Sequence, residues 1–82
     1  MPTDETVADR RYAVGQRIRE LRVQAGMTQS DVAEAAGFGS LPFYGDIERG
    51  KRNVSLDKLF AIADALGVGV GELFTDLPRQ VR

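Results

Sequence analysis

The chain has 82 residues, of which 43% are hydrophobic, and its formal net charge is −1. A chain of this length forms one domain, because a second could not bury a core of its own. It contains neither cysteine nor histidine, which excludes disulfides and thiolate metal sites and removes the commonest general base. No apolar run approaches the roughly 20 residues that span a bilayer, and the first residues are not a signal peptide. We therefore expect a cytoplasmic protein with no cofactor, and not an enzyme.

The first predicted helix covers residues 7–26. Its inward face is a set of apolar residues at helical spacing: Val14, Ile18, Leu21 and Ala25. Gly15 lies within this helix and should weaken it by roughly 1 kcal/mol relative to alanine. This predicts a looser segment over residues 7–14.

The second predicted helix is short and begins after Thr28. Thr28 suits the N-cap position, Asp31 favours the positive end of the helix, and Gly37 ends it. Its inward face is small, and consists of Val32, Ala35 and Ala36.

The third predicted helix begins close to Leu41. Pro42 is tolerated only in the first turn of a helix, which fixes that start. Ser40 can cap the helix, and Gly50 closes it. The aromatic Tyr44 is expected to fill the core.

The last two helices follow a short polar loop. The fourth is capped by Ser55, ends at Gly67, and has one apolar face formed by Leu56, Leu59, Ile62, Ala63 and Leu66. A fifth short helix is predicted over residues 68–74, where Leu73 and Phe74 are its apolar anchors. The pattern contains no strand signal, so the expected fold class is all-α, a compact five-helix bundle.

Three segments are expected along the chain. Residues 1–10 should form a flexible N-terminal extension, residues 11–75 the folded domain, and residues 76–82 a loose C-terminal tail interrupted by Pro78.

The second and third helices carry the pattern of a helix-turn-helix. They are short and are separated by a glycine turn. Ala33 lies in the middle of the second helix, four residues after Gln29, where a small side chain lets the next helix cross closely. Gly37 suits a turn that needs a positive φ, and Ile47 returns to the core near the end of the third helix.

The segments RIRELRVQAGMTQSDVAEAAG, DIERGKRNVSLDKLFAIADALGV and GELF resemble the phage repressor and Cro family of helix-turn-helix proteins, also called the xenobiotic-response-element group. The resemblance covers residues 15–74, and IERGKRNVSL is similar to the small controller proteins of restriction-modification systems. It implies a lambda-repressor-like DNA-binding domain. The implied function is a sequence-specific transcriptional regulator, such as a repressor, that binds double-stranded DNA as a homodimer with the third helix in the major groove.

The resemblance also implies roles for single residues. Thr28 and Gln29 open the second helix, where similar proteins contact a phosphate. The loop after the third helix should follow the phosphate backbone through Lys51, Arg52 and Asn53, with Arg49 reaching the same backbone. Arg22 and Glu48 match positions that form a partly buried, structural ion pair.

The start of the third helix departs from the family pattern. Ten residues, 38–47, separate the turn glycine from Glu48 where nine are usual, and the candidates for base contact are Ser40, Leu41, Pro42, Phe43 and Asp46. None is the Arg, Lys, Asn or Gln that forms bidentate base contacts. Three explanations stay open. The first is that the protein reads DNA weakly, through phosphates and DNA shape. The second is that the one extra residue shifts the register so that Arg49 reaches the DNA, and the third is that the surface of Leu41, Pro42 and Phe43 binds a protein.

The expected dimer surface is the last helix with its tail, through Val70, Leu73, Phe74 and Leu77. Leu73 and Phe74 could instead close the core of the monomer. The alternative function is a protein-interaction module or an antitoxin whose DNA reading is weak or lost, a reading that the net charge of −1 and the apolar start of the third helix support.

Overall fold

The structure, a computed structural model, describes the backbone of residues 4–75 and 77. These residues form four α-helices and one 3₁₀ helix: α1 (Asp4–Gln24), α2 (Gln29–Ala35), α3 (Leu41–Glu48), α4 (Leu56–Leu66) and the 3₁₀ helix (Val70–Phe74). The described residues contain no strand, so the all-α class is confirmed, whereas the prediction of five α-helices is wrong. The last segment is too rich in glycine for a longer helix, since Gly71 lies inside it and Gly69 has no side chain to cap it.

Helix α1 is longer and more regular than predicted. It begins at Asp4 and continues without a break through Gly15, so residues 7–14 are helical, and a looser packing of this segment stays a prediction. The predicted boundary between a flexible extension and the domain falls inside this helix, and the flexibility of residues 1–10 stays a prediction. Of the predicted tail, only Leu77 lies within the described residues.

One core connects all five elements. Its buried apolar side chains are Ile18, Leu21, Val32, Ala33, Tyr44, Ile47, Leu59, Ile62, Ala63, Leu66 and Leu73. Three residues that were predicted to face inward are exposed: Ala25 follows the end of α1, Ala35 lies on the outer side of α2, and Leu56 opens α4 with 64% of its surface exposed. Tyr44 is fully buried, as expected.

The predicted starts of α2, α3 and α4 are confirmed by their capping geometry. Thr28 Oγ1 accepts a hydrogen bond from the Asp31 amide at 3.0 Å, and Asp31 Oδ2 accepts one from the Thr28 amide at 2.8 Å. Ser40 and Ser55 cap α3 and α4 in the same way, each accepting from a backbone amide three residues later. Gly37, between α2 and α3, has a φ of +77°, which explains why glycine stands in this turn. None of the described helices is long and apolar enough to cross a membrane.

Candidate nucleic-acid interface

A polar network around Glu48 joins the first three helices. Glu48 is only 2% exposed, and its carboxylate accepts hydrogen bonds from Arg22 Nε at 2.7 Å and Arg22 Nη2 at 3.1 Å. The Tyr44 hydroxyl donates to it at 2.7 Å, and Gln29 Nε2 donates at 3.1 Å. Arg22 also donates to the Met27 carbonyl, and no buried side-chain N or O atom of the described residues lacks a partner. The expected partners Arg22 and Glu48 thus form a bidentate ion pair.

The charge of Glu48 is maintained by its donors. Burial alone would raise the pKa of Glu48, but the hydrogen bonds from Arg22, Tyr44 and Gln29 outweigh burial and lower it. Burial and the neighbouring carboxylate raise the pKa of Tyr44, so this phenol stays protonated and donates to Glu48. A buried carboxylate with these partners fixes α1, α2 and α3 relative to one another, which sets the angle of the helix-turn-helix.

The start of α2 is held by the same network. Gln29 is half-buried, and one of its amide hydrogens is committed to Glu48, which leaves the other for a phosphate. Thr28 is exposed, and its hydroxyl accepts from the backbone of α2. The predicted DNA contacts of both residues therefore depend on a site whose geometry is fixed before DNA arrives.

Phe43 is the centre of a second cluster and is not a freely projecting side chain. Its ring is half-buried, with the Phe38 ring centroid at 6.1 Å. The Arg52 guanidinium carbon lies 4.8 Å from its centroid and Lys58 Nζ lies 4.6 Å from it, both within the range of a cation–π contact. Arg52, Lys58 and Ser40 also line an open cleft of about 350 Å³ beside the α2–α3 turn. The ring thus brings together two cations at the start of the predicted recognition helix.

Asp46 forms a third cluster on the outer side of α3. Its carboxylate pairs with Arg49 Nη2 at 2.7 Å and with Arg52 Nη2 at 3.4 Å. The hydrogen bond from Arg49 lowers the pKa of Asp46, so the group is ionised at neutral pH. The loop residues Lys51 and Asn53 are exposed beside this cluster.

The remaining candidates at the start of α3 differ in exposure. Leu41 is 44% exposed and Pro42 is exposed, which leaves both on the surface. The Ser40 hydroxyl accepts a hydrogen bond from the Phe43 amide at 3.3 Å. The described residues of α3 thus present an apolar start and an ion-paired middle.

Lys58 is the charged residue of this surface that the sequence analysis missed. It lies in the first turn of α4, and its cluster with Phe43 and Arg52 joins residues of three chain segments. Its position three residues after the cap Ser55 was the only signal in the sequence, and it is too common to single out a site.

The predicted dimer surface is only partly free. Leu73 is fully buried and closes the core of the monomer, so its assignment to a dimer interface is wrong. Phe74 remains 38% exposed, Val70 and Leu77 are half-buried, and Phe74 and Leu77 line an apolar groove beside α1.

The chain belongs to the helix-turn-helix family, whose model matches residues 18–73. It is 40% identical over 67 residues to the uncharacterized HTH-type transcriptional regulator y4dJ of Sinorhizobium fredii, a match that covers 82% of this chain and 86% of that protein. It is 41% identical over 59 residues to control protein C.BamHI of Bacillus amyloliquefaciens, covering 71% and 72% of the two chains.

A solved structure supports the same assignment. The restriction-modification controller protein C.AhdI of Aeromonas hydrophila superposes with a TM-score of 0.74 at 41% identity, over 77% of this chain and 94% of that one. Other relatives are longer, and the match spans 44% of a second HTH-type regulator and 41% of a phage immunity repressor. The resemblance to repressors and controller proteins that the sequence indicated is therefore confirmed.

Proposed function

We propose that this protein is a sequence-specific DNA-binding transcriptional regulator that acts as a homodimer and places α3 in the major groove. The observation that carries the proposal is the helix-turn-helix itself, α2 and α3 held in register by the buried network around Glu48. Basic residues gather beside it although the net charge of the chain is −1: Arg49, Lys51, Arg52 and Lys58. The relatives named as transcriptional regulators and control proteins support the same function.

Phosphate contacts carry much of the binding in this proposal. The residues at the start of α2 that contact the DNA phosphate backbone are Thr28 and Gln29. Those that contact it in the segment after α3 are Arg49, Lys51, Arg52, Asn53 and Lys58. Because DNA affinity depends on the number of neutralised phosphates, binding should weaken steeply as salt rises.

Base contacts are few by comparison. Leu41 is exposed and can touch a thymine methyl group. Asp46 can accept a hydrogen bond from cytosine N4 once Arg49 and Arg52 turn from it to phosphates. Ser40 and Phe43 already have partners within the protein, so their contribution is indirect. DNA shape and the spacing of two half-sites then supply the remaining specificity.

Selection of binding sites from a randomised duplex library, at low and at near-physiological salt, tests the function. A palindromic consensus that survives the higher salt is the expected result. Binding only at low salt, without a consensus, would contradict sequence-specific regulation and would leave non-specific attraction to phosphates.

The phosphate role of the cations gives a second test. We expect Arg52→Ala and Lys58→Ala each to weaken binding to every duplex alike and to reduce the slope of log K against log salt by about 0.9. Arg19→Ala is the matched control, because Arg19 is an exposed cation on α1. A loss confined to one sequence would instead assign base reading to the substituted residue.

The exposed apolar start of α3 supports a second candidate function, a protein-interaction module or an antitoxin. Leu41 and Pro42 present an apolar surface to solvent. In that case Leu41→Ala abolishes binding of a partner protein without changing DNA affinity, while Leu56→Ala, at a leucine that is even more exposed, does not abolish it. Unchanged partner binding by Leu41→Ala would exclude this surface.

A further inference from the structure

Asp46 lies between two arginines that the proposed function assigns to DNA phosphates. Arg49 Nη2 is 2.7 Å from its Oδ1, and Arg52 Nη2 is 3.4 Å from its Oδ2. Each carboxylate oxygen therefore faces its own guanidinium, an arrangement that two oxygens of a phosphate would reproduce. The Asp46 side chain is 26% exposed, whereas both arginine side chains are about half exposed, so DNA can reach them.

The neighbouring residues are adapted to this arrangement. A Cβ atom at Gly45 would lie 3.3 Å from Arg49 Nη1, tighter than nine in ten real Cβ contacts, so the absence of a side chain at Gly45 leaves room for Arg49 to fold back along α3. Arg52 is held on its other side by the Phe43 ring, 4.8 Å from the ring centroid.

We propose that Asp46 is a specificity-determining residue that competes with DNA phosphates for Arg49 and Arg52. This inference rests on the proposed function. Non-specific DNA must displace Asp46 from both arginines and leaves its carboxylate without a partner among the phosphates. At a correct site, cytosine N4 offers Asp46 a new hydrogen bond as the arginines turn to the backbone. Asp46 thus weakens binding to wrong sequences more than binding to the right one.

Asp46→Asn tests the proposal on two duplexes: the site recovered by selection and a scrambled duplex of the same composition. We expect affinity for the scrambled duplex to rise roughly three- to tenfold, the range for loss of two surface ion pairs. Affinity for the selected site should rise less or fall, so the ratio of the two affinities falls. The salt slope on the scrambled duplex should stay the same, because Arg49 and Arg52 contact phosphates in both proteins once Asp46 is displaced or removed.

Asp57→Asn is the matched control. Asp57 is an exposed carboxylate next to Lys58, and the described part of the chain holds no ion-pair partner for it. Loss of its charge should change the affinity for both duplexes by the same factor and leave the salt slope as it is. If Asp46→Asn behaves like Asp57→Asn, Asp46 acts only through general repulsion and the proposal is wrong.

A double-mutant cycle separates competition from repulsion. In an Arg49→Ala, Arg52→Ala background at low salt, Asp46→Asn should raise affinity for the scrambled duplex no more than Asp57→Asn does, because no arginine is left to release. An undiminished increase in that background would refute the proposal. A wild-type protein that binds neither duplex, even at low salt, would refute the proposed function and this inference together, whereas failure of the variants alone refutes only the inference.

Discussion

At the scale of single residues, Tyr44 shows how one side chain can serve two purposes. The Tyr44 ring fills the core, while its hydroxyl donates a hydrogen bond to Glu48 at 2.7 Å. A buried carboxylate needs several donors to remain charged. The tyrosine therefore adds a donor to the ion pair that holds α1 against α3.

Tyr44→Phe should destabilise the fold by roughly 1.5–3 kcal/mol, the range for a hydrogen bond to a charged group. The ring still fills the core, so the cost measures the lost donor alone. Urea unfolding measures it, and Tyr12→Phe, at an exposed tyrosine, is the control with no expected change. Equal stability of the two variants would show that Glu48 does not depend on this hydroxyl.

Glu48→Gln should destabilise the protein by about 3 kcal/mol at neutral pH, because it leaves the Arg22 charge without its partner. The pKa of Glu48 is lowered below its ordinary 4.5 in the folded state, so its stabilisation is complete above that value and is lost as pH falls through the folded pKa. The stability difference between wild type and Glu48→Gln should therefore narrow below about pH 4. Denaturant unfolding across that range measures it, and a difference independent of pH would contradict the pKa shift.

At the scale of elements, the crossing of α1 over the end of α3 explains a glycine that the sequence alone presents as a defect. Gly15 is buried, and a Cβ atom there would lie closer than 3.0 Å to the carbonyl oxygens of Ile47 and Glu48. Gln16 also donates to the Glu48 carbonyl at 3.5 Å. The close approach of two backbones thus requires glycine within a long helix.

Gly15→Ala should destabilise the protein by about 1–3 kcal/mol, because the added methyl group forces α1 and α3 apart. Helix propensity alone predicts the opposite sign, a gain of about 1 kcal/mol. Thermal unfolding decides between them, with Gly69→Ala as a control at an open position. A stabilised Gly15→Ala would mean that the two helices are not in tight contact.

At the scale of the whole molecule, the proposed function requires a surface through which two copies associate. Leu73 of the 3₁₀ helix is buried in the core, so the proposed dimer surface is reduced to Val70, Phe74 and Leu77. A dimer doubles the number of phosphate contacts and spans two half-sites about 34 Å apart. In the proposed function, sequence-specific binding by this small domain therefore depends on assembly of two copies.

Phe74→Glu should shift the protein from dimer to monomer in sedimentation equilibrium, because it places a charge on the proposed interface. Val23→Glu, at an exposed position of α1, is the matched control and should leave assembly unchanged. Thermal unfolding checks that both variants are folded. A dimer that persists in Phe74→Glu would place the interface elsewhere, with the exposed Leu56 and Phe60 of α4 as the next surface to test.

The sequence by itself determined the four α-helices and their class, because caps such as Thr28, Ser40 and Ser55 and stops such as Gly37 and Gly67 act on adjacent backbone. The ion pair of Arg22 and Glu48 was predicted from the family resemblance. Only the tertiary structure decided the role of residues that contact segments distant in the chain. This applies to Gly15 beneath α3, to Leu73 in the core, and to Lys58 over Phe43. Local interactions can be derived from neighbours in the chain, whereas packing and charge pairing across the fold depend on how the helices cross.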